Sequence, residues 1–456
     1  ILNSIAKKEN KDILLISPNE EIAYKWYGYF DSIDNKNILY YPPNENLPYA
    51  SINKSKETEY SQLSVISKII KKERQDINII ITTERSLQPH LIKENIFKDN
   101  IFSIIKGSEL EIKELITKLV LLGYSKENMT SQEGSWSRRG EIIDIYPVNN
   151  ELPIRIEYFD NIIEKIREYD PVTQRTLDSI NKVEIVQVGF NLLIRKRLEN
   201  LSEQGTFNSE EITTKNNLDR YLGIIEDHPS NLLDYINKDT LIVIDEKEEC
   251  NKFSNNWCLE SDNNFELYKD EISNNLKSNN INIKVRSNLH EKFESIIKTI
   301  SNNNVINLYE FESKRNIDNR FLLSDKRINT SPKNIGKLSK EINKFILNKD
   351  KVWILSAQPL RTRSLFFEHE CNTTYLEKPN DLESAYKLIK NSTPVIIKNK
   401  NNYEIEGFFL PIWKVILITD KELFSQQALF NNVFIRRRKR SVNSNINVNK
   451  INPGDY

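Results

Sequence analysis

The sequence predicts a multidomain α/β protein. Short runs of large apolar residues alternate with helical patterns along much of its 456 residues, and this alternation is typical of parallel sheets with crossover helices. A different pattern interrupts it, in which two strand-like runs are separated only by Asp160-Asn161. That pattern predicts an antiparallel hairpin. The length is enough for three or four domains of ordinary size.

The first α/β region alternates strands with helices. Strands are predicted at 12–18, 37–43 and 77–83, and helices at about 20–30, 55–72 and 108–122. The last of these helices ends at Gly123, a plausible C-terminal stop. The α/β style returns after about residue 195, with an apolar strand at 241–246. We therefore expect the strands at 12–18, 77–83 and 241–246 to share one sheet, and the region between to project as an insertion with its two ends close together.

The second half of the chain continues in the same style. Residues 251–280 are rich in Asn, Asp and Ser, so they predict a surface excursion around a weakly helical segment, and 284–300 has helical spacing. Further helices are predicted at 336–348 and 359–370, and strand-like runs at 352–357, 394–398, 407–411 and 414–424. The basic run 435–440 predicts an exposed tether. The alternative for that run is contact with nucleic-acid phosphate.

Composition excludes several function classes. The formal net charge is zero, so a broad electrostatic footprint for DNA is not indicated. The three cysteines form no CxxC pair and the four histidines are scattered, which predicts neither a disulfide framework nor a metal site and fits a reducing, cytoplasmic setting. No apolar run approaches the roughly 20 residues of a membrane span.

The predicted strand 241–246 ends in an acidic pair. Asp245-Glu246 forms this end of the predicted strand, and in helicase-like folds such a pair holds magnesium. That function requires a phosphate loop, and no GxxxxGK[ST] segment occurs in the sequence. We therefore interpret the pair as a vestigial strand end and predict no cofactor and no catalytic residue in this chain.

Two registers of the 154–169 hairpin fit its pattern. A two-residue loop, Asp160-Asn161, would put Arg155, Glu157 and Phe159 on one face with Ile162, Glu164 and Ile166. A three-residue loop that includes Ile162 would pair Phe159 with Ile163 and Glu157 with Lys165. We favour the second register because slipping by one residue mixes the faces.

The favoured register separates a core face from an outer face. The core face carries Ile154, Ile156, Tyr158 and Ile166, and the outer face carries Arg155, Phe159, Lys165 and Arg167. Arg155 then lies opposite Arg167, and like charges in that position repel. An acidic partner surface would relieve the repulsion. The alternative is that these residues form only the solvated outer face of an ordinary sheet.

The hairpin lies within a longer motif. Residues recur in a fixed order between 134 and 175: Gly134, Arg139, Gly140, Asp144, Pro147, Arg155, Glu157, Phe159, Arg167, Asp170 and Gln174-Arg175. This order resembles the signature of a small inserted domain in two bacterial repair families, the excinuclease B subunits (UvrB) and the transcription-repair coupling factors (Mfd). The resemblance implies that this domain docks onto UvrA, the damage-recognition ATPase, through Arg155, Phe159, Lys165 and Arg167.

Two other segments resemble the coupling factors. They are YYPPNENLPYASINKSKETE (40–59), with Glu45, Leu47, Pro48 and Tyr49 in place, and GFFLPIWKVILITDKELF (407–424). The implied architecture is a helicase-like parallel-sheet domain without a phosphate loop, interrupted by a small mixed, mainly antiparallel α+β domain and followed by a second α/β domain. Its predicted bounds are 1–106 and 191–308 for the two halves of the first domain, 107–190 for the docking domain and 309–432 for the last. Residues 433–456 are the linker and, at INPGDY, the start of a domain that binds RNA polymerase.

The resemblance implies an interaction module. A coupling factor recruits UvrA to stalled RNA polymerase during nucleotide excision repair, and it is an ATP-dependent DNA translocase whose motor would lie beyond residue 456. ATP, magnesium and most contacts with double-stranded DNA are expected in that motor, and RNA polymerase in the domain that follows. One alternative is a UvrB-type excinuclease subunit with ATPase activity and damaged-DNA binding, and another is a plain DNA-binding fragment. No membrane partner is expected.

Overall fold

The structure is a computed structural model. It describes residues 2–32, 37–50, 54–71, 77–203, 218–277, 286–300, 304–310, 334–377, 393–399 and 406–424. The chain divides into two compact units, one containing Ile1–Asn19 and Leu39–Leu308, and the other containing Glu20–Ile38 and Tyr309–Val433. The predictions for 435–440 and for INPGDY lie outside the described residues.

A five-stranded sheet forms the centre of the first unit. Its strands are β1 (Ile13–Ser17), β2 (Ile38–Tyr40), β3 (Ile79–Thr83), β12 (Leu241–Asp245) and β13 (Val305–Leu308), in the order β13-β12-β1-β3-β2. Leu15 of β1 lies opposite Val243 on one side and Ile81 on the other, and both pairings are parallel. Every residue of β1 and β3 is buried, as in parallel sheets that are covered on both faces. The prediction that β1, β3 and β12 share one sheet is therefore confirmed.

The helices of this unit surround the sheet. They are α1 (Leu2–Glu9), α3 (Lys56–Lys71), α4 (Glu94–Asp99), α6 (Phe190–Glu203), α7 (Leu222–Ile225), α8 (Lys247–Lys277) and α9 (Phe293–Lys298). Apolar side chains from the sheet and from α3, α4, α6, α8 and α9 form one continuous core. That core includes Tyr49, from the segment that follows β2.

Helix α8 packs against the core, so the surface excursion expected at 251–280 is wrong for residues 251–277, whereas the helical segment expected within it is confirmed. Buried positions recur along it at helical spacing: Ser254, Trp257, Cys258, Ser261, Phe265 and Tyr268. They form one stripe against the core. The Asn and Asp residues that dominate the composition lie between them, and Asn255, Asn256, Asp262 and Asn263 are exposed. The polar composition therefore marks the outer face of an amphipathic helix.

A second, six-stranded sheet lies between β3 and β12 in the chain. Its strands are β5 (Ser125–Lys126), β6 (Ser135–Arg139), β7 (Ile142–Tyr146), β8 (Ile154–Phe159), β9 (Ile162–Tyr169) and β10 (Thr176–Ile180), in the order β10-β9-β8-β7-β6-β5. All neighbours are antiparallel except β5 and β6. Helix α5 (Ile112–Leu121) packs Leu115 and Leu119 into the core of this sheet.

The two ends of this region pair with each other. Strands β4 (Phe102–Ile105) and β11 (Lys182–Ile185) form an antiparallel ladder in which Ile105 lies opposite Lys182 and Phe102 opposite Ile185. Ile104, Val183 and Ile185 join the core of the six-stranded sheet. The chain therefore enters and leaves this region at one place, as expected from the sequence.

The second unit has a five-stranded, mostly parallel sheet. Its strands are β14 (Lys351–Ser356), β15 (Thr374–Leu376), β16 (Val395–Lys398), β17 (Phe408–Leu410) and β18 (Val415–Thr419), in the order β15-β16-β14-β18-β17. Only β17 runs antiparallel to its neighbour. Helices α10 (Ile335–Leu347), α11 (Pro359–Glu368) and α12 (Asp420–Phe424) contribute to its core, and α2 (Glu20–Ser32) is grouped with this unit. The predicted α/β character is confirmed in both units.

Candidate docking surface

The hairpin of β8 and β9 has one apolar and one polar face. Ile154, Ile156, Tyr158 and Ile166 are buried, as the favoured register required. They pack with Leu115 and Leu119 of α5. The polar face carries Arg155, Glu157, Lys165 and Arg167, with Phe159 at its end.

The register of this hairpin combines both predicted alternatives. At the tip Phe159 pairs with Ile162 around the two-residue loop Asp160-Asn161, so the expected pairing of Phe159 with Ile163 is wrong. The register then shifts between Tyr158 and Glu157, and the remaining pairs, Glu157 with Lys165 and Arg155 with Arg167, are those of the favoured register.

The segment before α5 explains this shift. Ile163 donates its N–H to the carbonyl of Ser108 at 3.1 Å and accepts from the N–H of Gly107 at 2.8 Å. Glu109 and Ile162 form an antiparallel bridge. The first residues of β9 are thus paired on their outer side as well, and a bulge in β9 absorbs the extra residue.

Arg155 is held inside its own domain. Its Nε lies 2.8 Å from Oδ1 of Asp144 and its Nη2 lies 2.9 Å from Oδ2, and Nη2 also donates to Gln174 at 3.2 Å. Its guanidinium stacks 4.7 Å from the centre of the Tyr169 ring. We expect the outer-face residues Arg155, Phe159, Lys165 and Arg167 to be largely exposed, and this expectation is wrong for Arg155, whose side chain is only 17% exposed. The hydrogen bonds that Arg155 donates to Asp144 are the main cause of the raised pKa of Arg155.

Arg167 and Lys165 share one acidic neighbour. Arg167 Nη1 lies 3.3 Å from Oε1 of Glu157, and Lys165 Nζ lies 3.8 Å from Oε2 of the same carboxylate. Lys165 also lies 3.2 Å from Glu164. Both basic side chains remain partly exposed, at 32% and 40%. Their pairs are therefore of the surface kind, worth about 1 kcal/mol or less each, and a partner could replace them.

Phe159 is the most exposed of the predicted docking residues. It is 67% exposed at the hairpin tip, and its strand neighbour Ile162 is 48% exposed. Asp160, which turns the chain between them, has a positive φ of 54°, a conformation that Asp tolerates better than most residues. The tip therefore presents two apolar side chains to solvent, a feature that often marks an interaction site.

The loop after β9 is held by hydrogen bonds between its own residues. The carboxylate of Asp170 accepts hydrogen bonds from the N–H groups of Val172 and Thr173 at 2.8 and 3.2 Å. Gln174 has a positive φ of 59° and donates its side-chain N–H to Pro171 O at 2.9 Å. Its other side-chain atom, Oε1, is the one that Arg155 contacts. Asp144, Asp170 and Gln174 of the motif therefore make hydrogen bonds within the domain that hold Arg155 and this loop in place.

The sequence did not reveal the partners of Arg155 and Arg167. The pairing of Asp144 with Arg155 depends on the register of β7 against β8, which are joined by the loop 147–153. The sequence feature that could have indicated this pair is Asp144 itself, the single acid inside the otherwise apolar strand β7. A buried acid in such a strand needs a basic partner, and Arg155 is that partner.

Other chemistry is not indicated by the described residues. Within the described ranges no group of three or more His, Cys, Asp or Glu side chains could hold a metal ion. The search for membrane spans, confined to the same residues, finds no helix of sufficient length and apolar character. All three cysteines are buried and unpaired.

Two protein-family models match the chain. The UvrB interaction domain matches residues 102–188, and the Rossmann-like domain of cyanobacterial Mfd matches residues 327–425. The first match spans the ladder of β4 and β11 and everything between them. The second covers the strands and helices from α10 to α12.

Curated relatives extend the similarity. The transcription-repair-coupling factor of Staphylococcus haemolyticus (strain JCSC1435) is 24% identical over 412 residues, and that of Staphylococcus aureus (strain bovine RF122 / ET3-1) is 23% identical over 407 residues. In both cases the similarity covers 83% of this chain and 33% of the relative. The chain therefore spans about a third of the length of the curated relatives it matches. One chain thus matches both the UvrB interaction domain and the Rossmann-like domain of cyanobacterial Mfd, and it is similar to the transcription-repair-coupling factors over 83% of its length.

Proposed function

We propose that this chain is the amino-terminal interaction module of a transcription-repair coupling factor, and that it recruits UvrA to stalled RNA polymerase. The observation that carries the proposal is the hairpin tip of the UvrB interaction domain, where Phe159 and Ile162 are exposed side by side. Arg167 and Lys165 lie on the polar face of the same hairpin. An apolar centre with a basic rim is the arrangement from which interfaces draw most of their binding energy.

The four residues expected to dock UvrA have different tasks in this proposal. Phe159 is the apolar anchor, and Arg167 and Lys165 exchange their bonds with Glu157 for carboxylates of the partner. Arg155 acts as a positioning residue, because its guanidinium is already engaged by Asp144 and Gln174. A planar arginine fork suits carboxylates, so an acidic patch on UvrA is the expected counterpart.

The proposed domain order follows the resemblance. The docking domain is an insertion in a helicase-like domain that has lost its phosphate loop, and the ladder of β4 with β11 supports this. The motor that binds ATP, magnesium and double-stranded DNA belongs to parts of the protein outside this chain, as does the domain that binds RNA polymerase. A cytoplasmic setting is part of the same proposal.

A UvrB-type excinuclease subunit is the weaker candidate. It would need a phosphate loop at the end of β1, and the residues there are Ser17-Pro18-Asn19. The Mfd Rossmann-like match over 327–425 favours the coupling factors instead. A plain DNA-binding fragment is disfavoured by the zero net charge.

The direct test is a titration of the chain into purified UvrA, followed by calorimetry. We expect saturable binding that is lost when residues 102–188 are replaced by a short linker, since their two ends are adjacent in the β4–β11 ladder. Equal binding by the shortened protein would refute the proposal, provided that its far-ultraviolet circular dichroism shows a folded remainder.

A further inference from the structure

A cavity lies in the first unit, beside the carboxyl ends of β2 and β3. Its walls come from the segment after β2, the turn after β3, the helical turn at Asp219–Tyr221 and helix α8. The walls include side chains that are charged or carry a ring N–H: Lys54, Arg85, His90, Asp219, Arg220 and Trp257. In α/β sheets, the space outside the carboxyl ends of the strands is where ligands commonly bind.

The walls of this cavity are tied together. The hydroxyl of Tyr49 accepts a hydrogen bond from the N–H of Leu289 at 2.9 Å. Gln88 exchanges two bonds with the backbone of Glu291, at 2.9 and 2.7 Å. Glu45 is held by the hydroxyls of Ser55 and Thr58 at 2.5 and 2.6 Å. The cavity is therefore formed before any ligand arrives, which lowers the cost of binding.

The charged groups of the lining are unbalanced. Three cationic side chains, Lys54, Arg85 and Arg220, share the lining with one carboxylate, Asp219. Asp219 is paired with Lys54 at 2.9 Å, and the Lys54 side chain is only 8% exposed. Cationic side chains therefore outnumber carboxylates among the lining residues.

Histidine 90 adds no charge near neutral pH. Burial, followed by the charge of Lys54, lowers the pKa of His90 to about 4. Its Nδ1 lies 2.5 Å from the carbonyl of Gln88, so Nδ1 donates there, and Nε2 accepts from the hydroxyl of Tyr41 at 2.7 Å. Burial is the larger cause of this lowered pKa, and the nearby charge of Lys54 is the smaller one.

The indole N–H of Trp257 is a second, independent observation that favours a polar ligand. Trp257 lines the cavity and is 9% exposed, and its indole N–H has no hydrogen-bond acceptor within the described part of the chain. The guanidinium of Arg85 lies 5.5 Å from the centre of its ring. Buried N–H groups are almost always satisfied by protein, water or ligand. A polar group inside the cavity would satisfy this one.

We propose that this cavity binds a small tetrahedral oxyanion of the phosphate class. A phosphate carries the charge opposite to that of the cations in the lining, and its oxygens suit the guanidinium of Arg85, the ammonium of Lys54 and the N–H of Trp257. The cavity volume is about 60 Å³, room for several waters at about 10–15 Å³ each, and thus for one phosphate group but not for a nucleoside. The group is either a free ion or the terminal phosphate of a molecule that lies mostly outside.

The test uses the whole chain and inorganic phosphate. Binding is followed by calorimetry and by thermal unfolding at constant ionic strength, with sodium chloride as the reference salt. We expect phosphate to raise the melting temperature above that in chloride, and Arg85→Gln to weaken phosphate binding at least tenfold. Arg363→Gln, which removes an exposed arginine of α11, is the matched control and should bind as the parent does.

Two further arms make the outcome decisive. Trp257→Phe keeps an aromatic, apolar side chain but removes the N–H, and it should weaken phosphate binding several-fold even if Arg85→Gln proves unfolded. Adenosine diphosphate competing for the same site would show that a terminal phosphate is the source, and its failure to compete would indicate the free ion. Equal melting in phosphate and chloride, or undiminished binding by Trp257→Phe and Arg85→Gln, would overturn the proposal. UvrA binding is measured separately and does not depend on this site.

Discussion

Arg155 and Asp144 form a two-pronged ion pair across β7 and β8, with N–O distances of 2.8 and 2.9 Å. Asp144 is 3% exposed, so this carboxylate is an internal acid with a single strong basic partner among the described residues. The pair also answers the repulsion expected between Arg155 and Arg167, because each arginine has an acid of its own domain beside it. The polar face of the hairpin is thus organised by contacts within its own domain.

The first prediction concerns that ion pair. Asp144→Asn should lower the free energy of unfolding by about 2 kcal/mol or more, because it leaves a mostly buried guanidinium without its anion. Urea unfolding measures the change. Glu114→Gln is the control, since it removes an exposed helical pair with Lys118 worth about 0.5 kcal/mol or less. Equal losses in the two variants would show that Asp144 has no special structural weight.

The second prediction concerns the apolar anchor. Phe159→Ala should weaken binding to UvrA by roughly 2 kcal/mol or more, while the free energy of unfolding changes by no more than about 0.5 kcal/mol. The control is Phe367→Ala in α11, because Phe367 is similarly exposed at 73% but lies outside the docking domain. Calorimetry with UvrA compares the two. Unchanged affinity in Phe159→Ala would remove the hairpin tip from the interface.

The third prediction concerns the basic rim. Arg167→Gln removes a partly exposed charge that is paired with Glu157 at the surface, so it should slow association with UvrA at low salt and reduce the dependence of that rate on salt. Stopped-flow measurements at two ionic strengths provide the rates. Arg363→Gln is the matched charge control. An association rate with the parent's salt dependence would place Arg167 outside the encounter surface.

Features of the hairpin that depend on local pattern could be predicted from the sequence, whereas those that depend on pairing with other segments could not. Alternation in Ile154, Ile156 and Tyr158 was enough to predict the hairpin and its buried face. The bulge near Ile163 was not predictable, because it depends on pairing with Gly107 and Ser108, some 55 residues earlier in the chain. The burial of Arg155 was missed for a related reason, since it depends on the register of a third strand.

At α8 the amino-acid composition was a poorer guide to structure than the spacing of the apolar residues. Its Asn and Asp residues have low helix propensity, and they outweighed the spacing of Trp257, Phe265 and Tyr268. Packing of that apolar stripe against the core stabilises the helix despite its composition. Spacing was the better guide here because tertiary contacts, and not intrinsic propensity, determine most helices.

The fourth prediction concerns catalysis. The chain should not hydrolyse ATP, with or without DNA, because no phosphate loop is present in its sequence. A phosphate-release assay with a purified sample is the measurement. DNA-stimulated release that co-purifies with the chain through two different columns would contradict the prediction.

The last prediction concerns Glu84, a buried acid at the end of β3. It is 3% exposed and its Oε2 has no hydrogen-bond partner among the described residues. Burial raises its pKa from 4.5 to about 8, and the opposing charge of Arg85 is the smaller effect. Between these two values the unfolded chain has lost the proton and the folded chain retains it, so stability falls as the pH rises.

Glu84→Gln should remove this dependence. The variant should match the parent near pH 4 and exceed its free energy of unfolding near pH 8 by up to about 4 kcal/mol, at about 1.4 kcal/mol for each unit of pKa. Comparing the two proteins at each pH cancels other titrating groups, including His90, whose lowered pKa makes stability rise with pH between about 4 and 6.5. Urea unfolding at several pH values measures the difference. A gap between variant and parent that stays constant from pH 4 to 8 would show that Glu84 is ionised in the folded protein.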